Sequence, residues 1–478
     1  MDDLDSKINS AHDLLDQGEL EAARSLLIQI EQNVADRRQL LYKADTFSPL
    51  CIEVGKALLD ESLVNLGTTY LQEWVDEDDQ NSSYRDHYNL ANGYNALWRF
   101  RSEKYDKEGI DSTEHQSARH YYRLSSEHKL QDRSEVSLLS QIWVNYGISL
   151  SEVNRPIEAI AAFDRALSLN SNMGMALGNK AMVLQALASD FFGYTHLLYL
   201  ESISLFELAL TQRDISKAAK NIFLEELGHL RQIVSSHKDS KLIPEILPPG
   251  VEPKNRFQEF LCNFSFEHNL FLSPNSLLSA ELSKFPGDPL FITSMYDEGE
   301  YAGKFERYIS FLNEIKQDYI MARFFLVQSQ IPSEIIDSID EGVTLFYTLD
   351  YALYSSYVQL VKMALKQTIM VLDKIAFFIY DYCRLSKPSP TRVTFTGLWL
   401  KLDDGKIRDD LGEFKNPYLF ALFTLARDLS KNGDWNYLQQ FRNAITHRFL
   451  VIHSEDFIGD YNPDIPRHDI DDFINKRE

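Results

Sequence analysis

The residues whose types could do chemistry lie near the C-terminus, in the stretch YLQQFRNAITHRFLVIH (437–453). It contains Arg442 and His447, and no acidic residue occurs between Asp434 and Glu455, although the chain carries a formal net charge of -23. A histidine titrating near neutral pH can donate or accept a proton. The planar guanidinium of an arginine can hold a phosphate while negative charge builds on it. The pair suits metal-independent RNA cleavage, in which a ribose 2′-OH attacks the adjacent phosphorus and the 5′ oxygen leaves.

A helix through this stretch would have two faces, because successive residues turn by about 100°. The residues predicted to face a core are Leu438, Phe441, Ile445, Phe449 and Ile452. The polar residues of the opposite face are Arg442, Asn443, Thr446 and His447. We assign catalysis to Arg442, Asn443 and His447, and substrate binding to Arg448 and Thr446. Leu450 falls beside the polar residues, which predicts that a second copy of the helix covers this face.

Interpretations of these residues without a chemical role also stay open. Arg442 and His447 could simply solvate a helix face, or His447 could be a satisfied core residue. A two-histidine metal site is disfavoured, since His453 would lie about 240° further round the helix than His447. The adjacent Asp373 and Lys374 in an apolar segment predict a buried pair with a structural role. The sequence contains no HExxH motif or Gly-rich phosphate loop, and we predict neither a metal ion nor a cofactor.

The composition is that of a soluble protein with an acidic surface. With 478 residues the chain is long for one core, so two or more domains are expected. The balance of 48 basic to 71 acidic residues disfavours non-specific nucleic-acid binding, so any RNA contact must be local, through Arg442, Arg448 and Arg323. Three scattered cysteines, and the lack of a signal peptide or membrane span, predict a cytoplasmic protein with no membrane partner.

The first half of the chain has the pattern of successive helices, and one window follows a known repeat. In WVNYGISLSEVNRPIEAIAAFDRALSLNS (143–171), small residues such as Gly147 alternate with bulky ones such as Phe163, so two short helices could pack closely. This window resembles the tetratricopeptide repeat. The matching positions are Trp143, Tyr146, Gly147, Leu150, Ala159, Phe163 and Ala166. One pair cannot bury its apolar face alone, so we predict a helical solenoid over residues 1–238.

The solenoid would present a concave surface to an unidentified protein, peptide or nucleic-acid trigger; a plain helical bundle is the alternative. The proline-rich segment KLIPEILPPGVEPKN then ends the helical run, because proline lacks a backbone donor. We predict a linker and wrapping segment over residues 239–297, a bundle of four helices over residues 298–460, and an acidic tail over residues 461–478. The predicted fold class is therefore all-α.

The motif RNAITHR on the last predicted helix resembles the signature R-N-x-x-x-H of the HEPN superfamily (higher eukaryotes and prokaryotes nucleotide-binding). Arg442, Asn443 and His447 occupy its three defining positions, whereas Thr446 stands where an acidic residue would be expected. Three further stretches look like landmarks of a bacterial HEPN subfamily often fused behind tetratricopeptide repeats. They are NLFLSPNSLL (269–278), YIMARFFL (319–326) and DKIAFFIYDY (373–382).

The resemblance implies an endoribonuclease that acts as a homodimer, with Arg and His side chains from two facing helices in one composite site. Its products would be a 2′,3′-cyclic phosphate and a 5′-hydroxyl end. Many relatives are toxins or antiviral effectors, and we expect the repeat domain to regulate cleavage. Other HEPN domains are inactive scaffolds or bind nucleotides. A non-enzymatic adaptor, whose bundle only dimerises or binds nucleotide or RNA, is therefore the alternative.

Overall fold

The described part of the chain folds almost entirely into α-helices, which confirms the predicted fold class. The computed structural model describes residues 2–77, 82–104, 112–191, 193–236, 253–279, 287–290, 305–346, 352–386, 393–399, 408, 411, 416–431, 433–453 and 467–469. The chain divides into two compact units, Met1–Pro244 and Glu245–Glu478. The predicted domain bounds near 238, 297 and 460 lie outside the described residues and stay predictions.

Twelve helices form the described part of the N-terminal unit. They are α1 (Asp2–Asp16), α2 (Leu20–Asn33), α3 (Arg37–Leu41), α4 (Ala44–Leu58), α5 (Glu61–Glu77), α6 (Tyr84–Lys104), α7 (Thr113–Ser126), α8 (Val136–Glu152), α9 (Pro156–Leu169), α10 (Gly174–Leu187), α11 (Thr195–Thr211) and α12 (Lys217–Ser236). Sequential helices pack against each other, α4 on α5, α6 on α7, α8 on α9 and α10 on α11, and each pair also contacts the next. This stacking of pairs is a tetratricopeptide-like solenoid.

The window that matches the repeat pattern forms α8 and α9. Pro156 is the first residue of α9, where a missing N–H costs no hydrogen bond. A Cβ placed on Gly147 would lie 2.6 Å from Cε1 of Phe163, so only a residue without a side chain permits this approach of the two helices. Phe163 and Ala166 are fully buried beside it. The predicted packing of a small residue against a large one is present in this pair.

A buried histidine lies within the same solenoid. His115 on α7 is 3% exposed and stacks on Trp98 of α6, with ring centroids 3.9 Å apart. Its Nε2 lies 3.3 Å from Oγ of Ser149 on α8. Burial, helped by the nearby charge of Arg119, holds the pKa of His115 well below its usual value. His115 therefore joins three helices as a neutral side chain.

Six helices and two short strands form the described part of the C-terminal unit. They are α13 (Arg256–Glu267), α14 (Phe305–Gln328), α15 (Glu334–Asp340), α16 (Ser356–Tyr382), α17 (Pro417–Asp428), α18 (Asn436–His447), β1 (Val451–His453) and β2 (Arg467–Asp469). The strands pair in parallel, and neither they nor α15 were predicted. None of the helices in the described ranges of the chain is long and apolar enough to cross a membrane.

Helix α16 is the centre of this unit. It is 27 residues long and is capped at its N-terminus by Ser355, whose side chain accepts a hydrogen bond from the N–H of Val358. Helices α14 and α18 pack against it. Its C-terminal half shares a hydrophobic core with α17, in which Ile379 and Phe423 are buried. The long apolar pattern of YALYSSYVQLVKMALKQTIMVLDKIAFFIYDYCRL (351–385) predicts a central helix, which α16 confirms.

We expect Gly147→Ala to destabilise the protein by about 1–3 kcal/mol, because the added methyl group overlaps the Phe163 ring. Urea denaturation of the full chain measures the change. Gly228→Ala on α12 is the matched control, since nothing lies within 4 Å of a Cβ at that position. Removing a glycine from that helix interior should stabilise it by about 0.5–1 kcal/mol. Equal effects of the two substitutions would contradict the close approach at Gly147.

His115 predicts a pH dependence of stability. Because its pKa is lowered in the folded protein, the unfolded chain binds the proton more readily, and stability falls as pH drops below the usual value of 6.5. The loss should be about 1 kcal/mol between about pH 7 and about pH 5.5. A glutamine at position 115 cannot titrate, so the His115→Gln protein should not show this loss of stability at low pH, whatever its stability at neutral pH. Urea denaturation of both proteins at the two pH values tests this, and parallel pH profiles would contradict it.

Candidate functional site

The helix that carries the RNAITHR motif is shorter than the sequence predicts. Helix α18 ends at His447, and the N–H of Arg448 caps it by donating to the carbonyl of Ala444. Residues 451–453 belong to strand β1 instead. His453 is buried in that strand, so its predicted position around the helix was wrong.

The early end of α18 reverses two predictions about the residues that follow. Phe449 is 80% exposed and was wrongly predicted to face the core. Leu450 is buried in a cluster with Phe441 and Ala444, against α16 of the same chain. Its carbonyl accepts a hydrogen bond of 2.6 Å from Nζ of Lys362, whose pKa is lowered by burial. Leu450 is therefore no sign of a second subunit.

A groove of about 650 Å³ runs between α14, α16 and α18. Helix α18 presents Arg442, Thr446 and His447 to it, as the helical spacing of these residues predicts. The residues from the other two helices are Phe311, Glu314 and Ile315 on α14, and Lys366, Met370, Asp373, Lys374 and Phe377 on α16. Three of the five predicted site residues thus line one cavity.

Arg442 is held by two neighbours. Its Nη1 donates to Oδ1 of Asn443 at 3.1 Å, and its Nη2 lies 3.4 Å from Oδ2 of Asp373. The other carboxylate oxygen of Asp373 accepts a 2.8 Å hydrogen bond from the N–H of Phe395. Both charged side chains of the Arg442–Asp373 pair are 26% exposed. A partly solvated pair of this kind contributes at most about 1 kcal/mol, so another anion can displace the carboxylate from the guanidinium.

The remaining predicted site residues differ in their positions. His447 is exposed at the last turn of α18, on the groove. Oγ1 of Thr446 is buried, and no hydrogen-bond partner for it exists among the described residues. Asn443 is exposed and reaches the groove only through Arg442, while the exposed Arg448 follows the helix and is not among the lining residues.

The predicted ion pair between Asp373 and Lys374 is wrong. Asp373 and Lys374 do not pair with each other: Asp373 faces Arg442, whereas Lys374 forms ion pairs with Asp318 and with Glu314, the latter at 2.8 Å. Burial lowers the pKa of Lys374, but the hydrogen bonds to these two carboxylates outweigh that effect and raise it. Adjacent residues on a helix point about 100° apart, which is why they meet different partners.

Arg323 is a structural residue and supplies no attraction for RNA. It is 7% exposed, and its guanidinium donates two hydrogen bonds to Asp288, at 2.8 and 2.6 Å. Nη1 also donates to the carbonyl of Leu270 at 2.9 Å. The contact ties α14 to the segment after α13, two of the stretches that we identified as landmarks.

The α16 side of the groove was missed by sequence reasoning. Lys366, Met370, Asp373 and Phe377 recur at intervals of three or four residues, which places them on one helix face. This mixed stripe of charged and apolar residues on the central helix was the available signal. The apolar character of the segment instead favours a core helix with one internal ion pair, so the sequence does not predict that this stripe lines a groove.

Part of the chain is similar to a known protein family. Residues 301–477 match the family model described as LA2681-like HEPN. This part of the chain is similar to a HEPN domain. No curated protein matches the chain. A solved structure titled "Functional Characterization of Pseudomonas Aeruginosa pilF" matches 49% of this chain and 88% of its own, at 16% identity and a TM-score of 0.30.

The contact of Asp373 with Arg442 predicts that the carboxylate competes with bound anions for the guanidinium. We expect Asp373→Asn to strengthen binding of a non-cleavable 2′-O-methyl RNA hexamer by about 1.5- to 5-fold at low salt, the range of a partly exposed ion pair. Fluorescence anisotropy measures the affinity.

Asp381→Asn is the control for that substitution. Asp381 lies on the same helix and also pairs with an arginine, Arg307, at 2.7 Å, but it does not line the groove. Asp381→Asn removes the same charge but keeps the contact of Asp373 with Arg442, so it should not strengthen binding as Asp373→Asn does. Weaker binding by Asp373→Asn than by this control would show that Asp373 supports the anion site instead of competing for it.

Proposed function

We propose that the protein is a metal-independent endoribonuclease of the HEPN type. The observation that carries the proposal is that Arg442 and His447 lie on one face of α18 and line the same groove. The HEPN match over residues 301–477 supports it, because RNA cleavage is one of the activities that the family resemblance implies.

The reaction needs a proton acceptor, a proton donor and a group that stabilises negative charge. The acceptor takes the proton of the 2′-OH, and the 2′ oxygen forms a bond to phosphorus while the bond from phosphorus to the 5′ oxygen breaks. The donor protonates the leaving 5′ oxygen. The products are a 2′,3′-cyclic phosphate and a 5′-hydroxyl, and neither water nor an oxidant is consumed. In this scheme His447 transfers protons, and the Arg442 guanidinium holds the phosphate oxygens.

We propose that the enzyme is a homodimer with a composite site. Among the described residues that line the groove, His447 is the only histidine, whereas the reaction needs both a base and an acid. A second copy of α18 supplies the other histidine. Phe449 supports this arrangement, since an aromatic side chain that is 80% exposed next to the site is suited to contact a partner surface.

The other predicted site residues take supporting roles in the proposal. Asn443 orients Arg442, to which it is hydrogen-bonded. Thr446 donates its buried hydroxyl to a phosphate oxygen, which relieves the cost of about 1–3 kcal/mol of a buried polar group without a partner. Arg448 attracts the RNA strand beside the groove.

We further propose that the protein acts as a toxin or antiviral defence effector under the control of its repeats. The solenoid binds a trigger, and the net charge of -23 keeps RNA away from the rest of the surface until the site is engaged. The alternative is a non-enzymatic adaptor whose HEPN domain only dimerises or binds nucleotide or RNA. The contact of Asp373 with Arg442 favours that alternative, because it engages the guanidinium that the phosphate requires.

Cleavage of total RNA and tRNA in EDTA separates the two functions. We expect wild type to produce 5′-hydroxyl ends, and Arg442→Ala and His447→Ala each to reduce the rate by about 10²- to 10⁴-fold, the usual contribution of acid–base and electrostatic groups. Arg256→Ala and His268→Ala, exposed residues of the same unit that do not line the groove, are the controls. Equal rates for wild type and all variants would rule out the proposed site and favour the adaptor.

A further inference from the structure

We propose that the apolar wall of the groove is a binding subsite for one unpaired nucleobase, so that the substrate is single-stranded at the cleavage position. This inference rests on the proposed ribonuclease function for its biological meaning. The subsite itself is a binding site and is tested below without cleavage.

One wall of the groove is formed by aromatic and aliphatic side chains from two helices. Phe311 and Ile315 come from α14, and Met370 and Phe377 from α16. All four side chains are partly exposed, although fully buried positions are available elsewhere on both helices. A groove of this volume falls within the range of about 300–1,000 Å³ that is usual for small-molecule sites, and a base with its ribose fits it.

The two phenylalanine rings are held in fixed orientations. Their centroids lie 5.9 Å apart at an interplanar angle of 89°, so the edge of one ring meets the face of the other. The guanidinium of Arg307 lies 5.3 Å from the centroid of Phe311 and is itself held by Asp381 at 2.7 Å. A rigid aromatic ring loses little entropy on binding and offers a base its face or its edge.

The groove carries cationic side chains that suit the phosphate of a nucleotide, and its two carboxylates, Glu314 and Asp373, are each paired with a cation. Arg442 and His447 lie on α18, and Lys366 lies on α16 beside the apolar wall. Lys366 has no ion-pair partner among the described residues, whereas Lys374 is neutralised by Glu314 and Asp318. A nucleotide whose base contacts the wall can therefore use Arg442 and Lys366 for its phosphate. An apolar peptide or a lipid tail would use neither cation.

This arrangement selects unpaired RNA. In a duplex the bases are stacked and paired inside the helix, so a base reaches a side wall only when it is splayed out. Anchoring the base also fixes the ribose that bears the attacking 2′-OH relative to Arg442. The wall consequently contributes both binding and alignment for the proposed reaction.

The test uses 2′-O-methyl RNA hexamers that cannot be cleaved, each with one 2-aminopurine, whose fluorescence is quenched when it stacks. We expect the full-length protein to quench at least one position in the single strand and none in the matching duplex. Phe377→Leu and Phe311→Leu keep an apolar side chain but remove the ring, and should weaken binding by about 5-fold or more, since base stacking on an aromatic ring is worth about 5- to 150-fold in affinity.

Phe324→Leu is the matched control, because Phe324 lies on α14, is 37% exposed, and does not line the groove. Lys366→Ala should weaken binding at low salt while the quenching of the bound hexamer is preserved. Circular dichroism of each variant checks that the fold is retained.

Two results would overturn the subsite. One is unchanged quenching and affinity in both groove variants. The other is a loss of dimerisation in those variants, measured by analytical ultracentrifugation, since the wall would then be covered by a second copy. A different result would show that the proposed function is wrong while the subsite is right. In that case quenching depends on Phe311 and Phe377, but the wild type cleaves no RNA. Cleavage without ring-dependent quenching would leave the ribonuclease standing and remove the subsite.

Discussion

The packing of α18 against α16 is the contact on which the candidate site depends. Phe441 and Ala444 are buried against the side of α16 that carries Val361 and Leu365. On a helix the buried positions determine where the other side chains of the same turns point, so burying Phe441 and Ala444 directs Arg442 and His447 into the groove. The buried bond from Lys362 to the carbonyl of Leu450 then holds the chain directly after the helix end. A shift of α18 along α16 would move Arg442 and His447 together.

The lack of acidic residues between Asp434 and Glu455 does not keep carboxylates away from Arg442 in the folded chain. Along the chain no carboxylate stands near Arg442, but in space Asp373 lies against it, and the N–H of Phe395 fixes Asp373 in turn. Such a carboxylate orients the guanidinium fork and also competes with an incoming phosphate. Because the pair is partly solvated, its strength is small enough for a phosphate to replace it. The site therefore contains an arginine held in position and a carboxylate, Asp373, that competes weakly with phosphate for it.

The N-terminal unit is organised by a simpler rule. Each helix packs on its neighbours in sequence, and close approach depends on small residues such as Gly147 facing large ones such as Phe163. Local contacts of this kind make a repeat pattern visible in one window of sequence. The same rule allows polar side chains such as His115 to be buried where three helices meet, provided that they stay neutral and find partners.

The sequence by itself determined the all-α class, the repeat-like packing of α8 and α9, the central helix α16 and the helical face that carries Arg442, Thr446 and His447. These features depend on helical periodicity and on contacts between residues close in the chain. The tertiary structure alone decided where α18 ends, that Leu450 is buried within its own chain, and that Arg323 is held by Asp288.

It also decided that Asp373 faces Arg442, a pairing across 69 positions of sequence. The physical reason is that helix geometry relates residues within a few turns, whereas the partner of a charged side chain depends on which helices the core brings together. The buried Phe395 illustrates this: its burial with α16 and α17 places the N–H that orients Asp373.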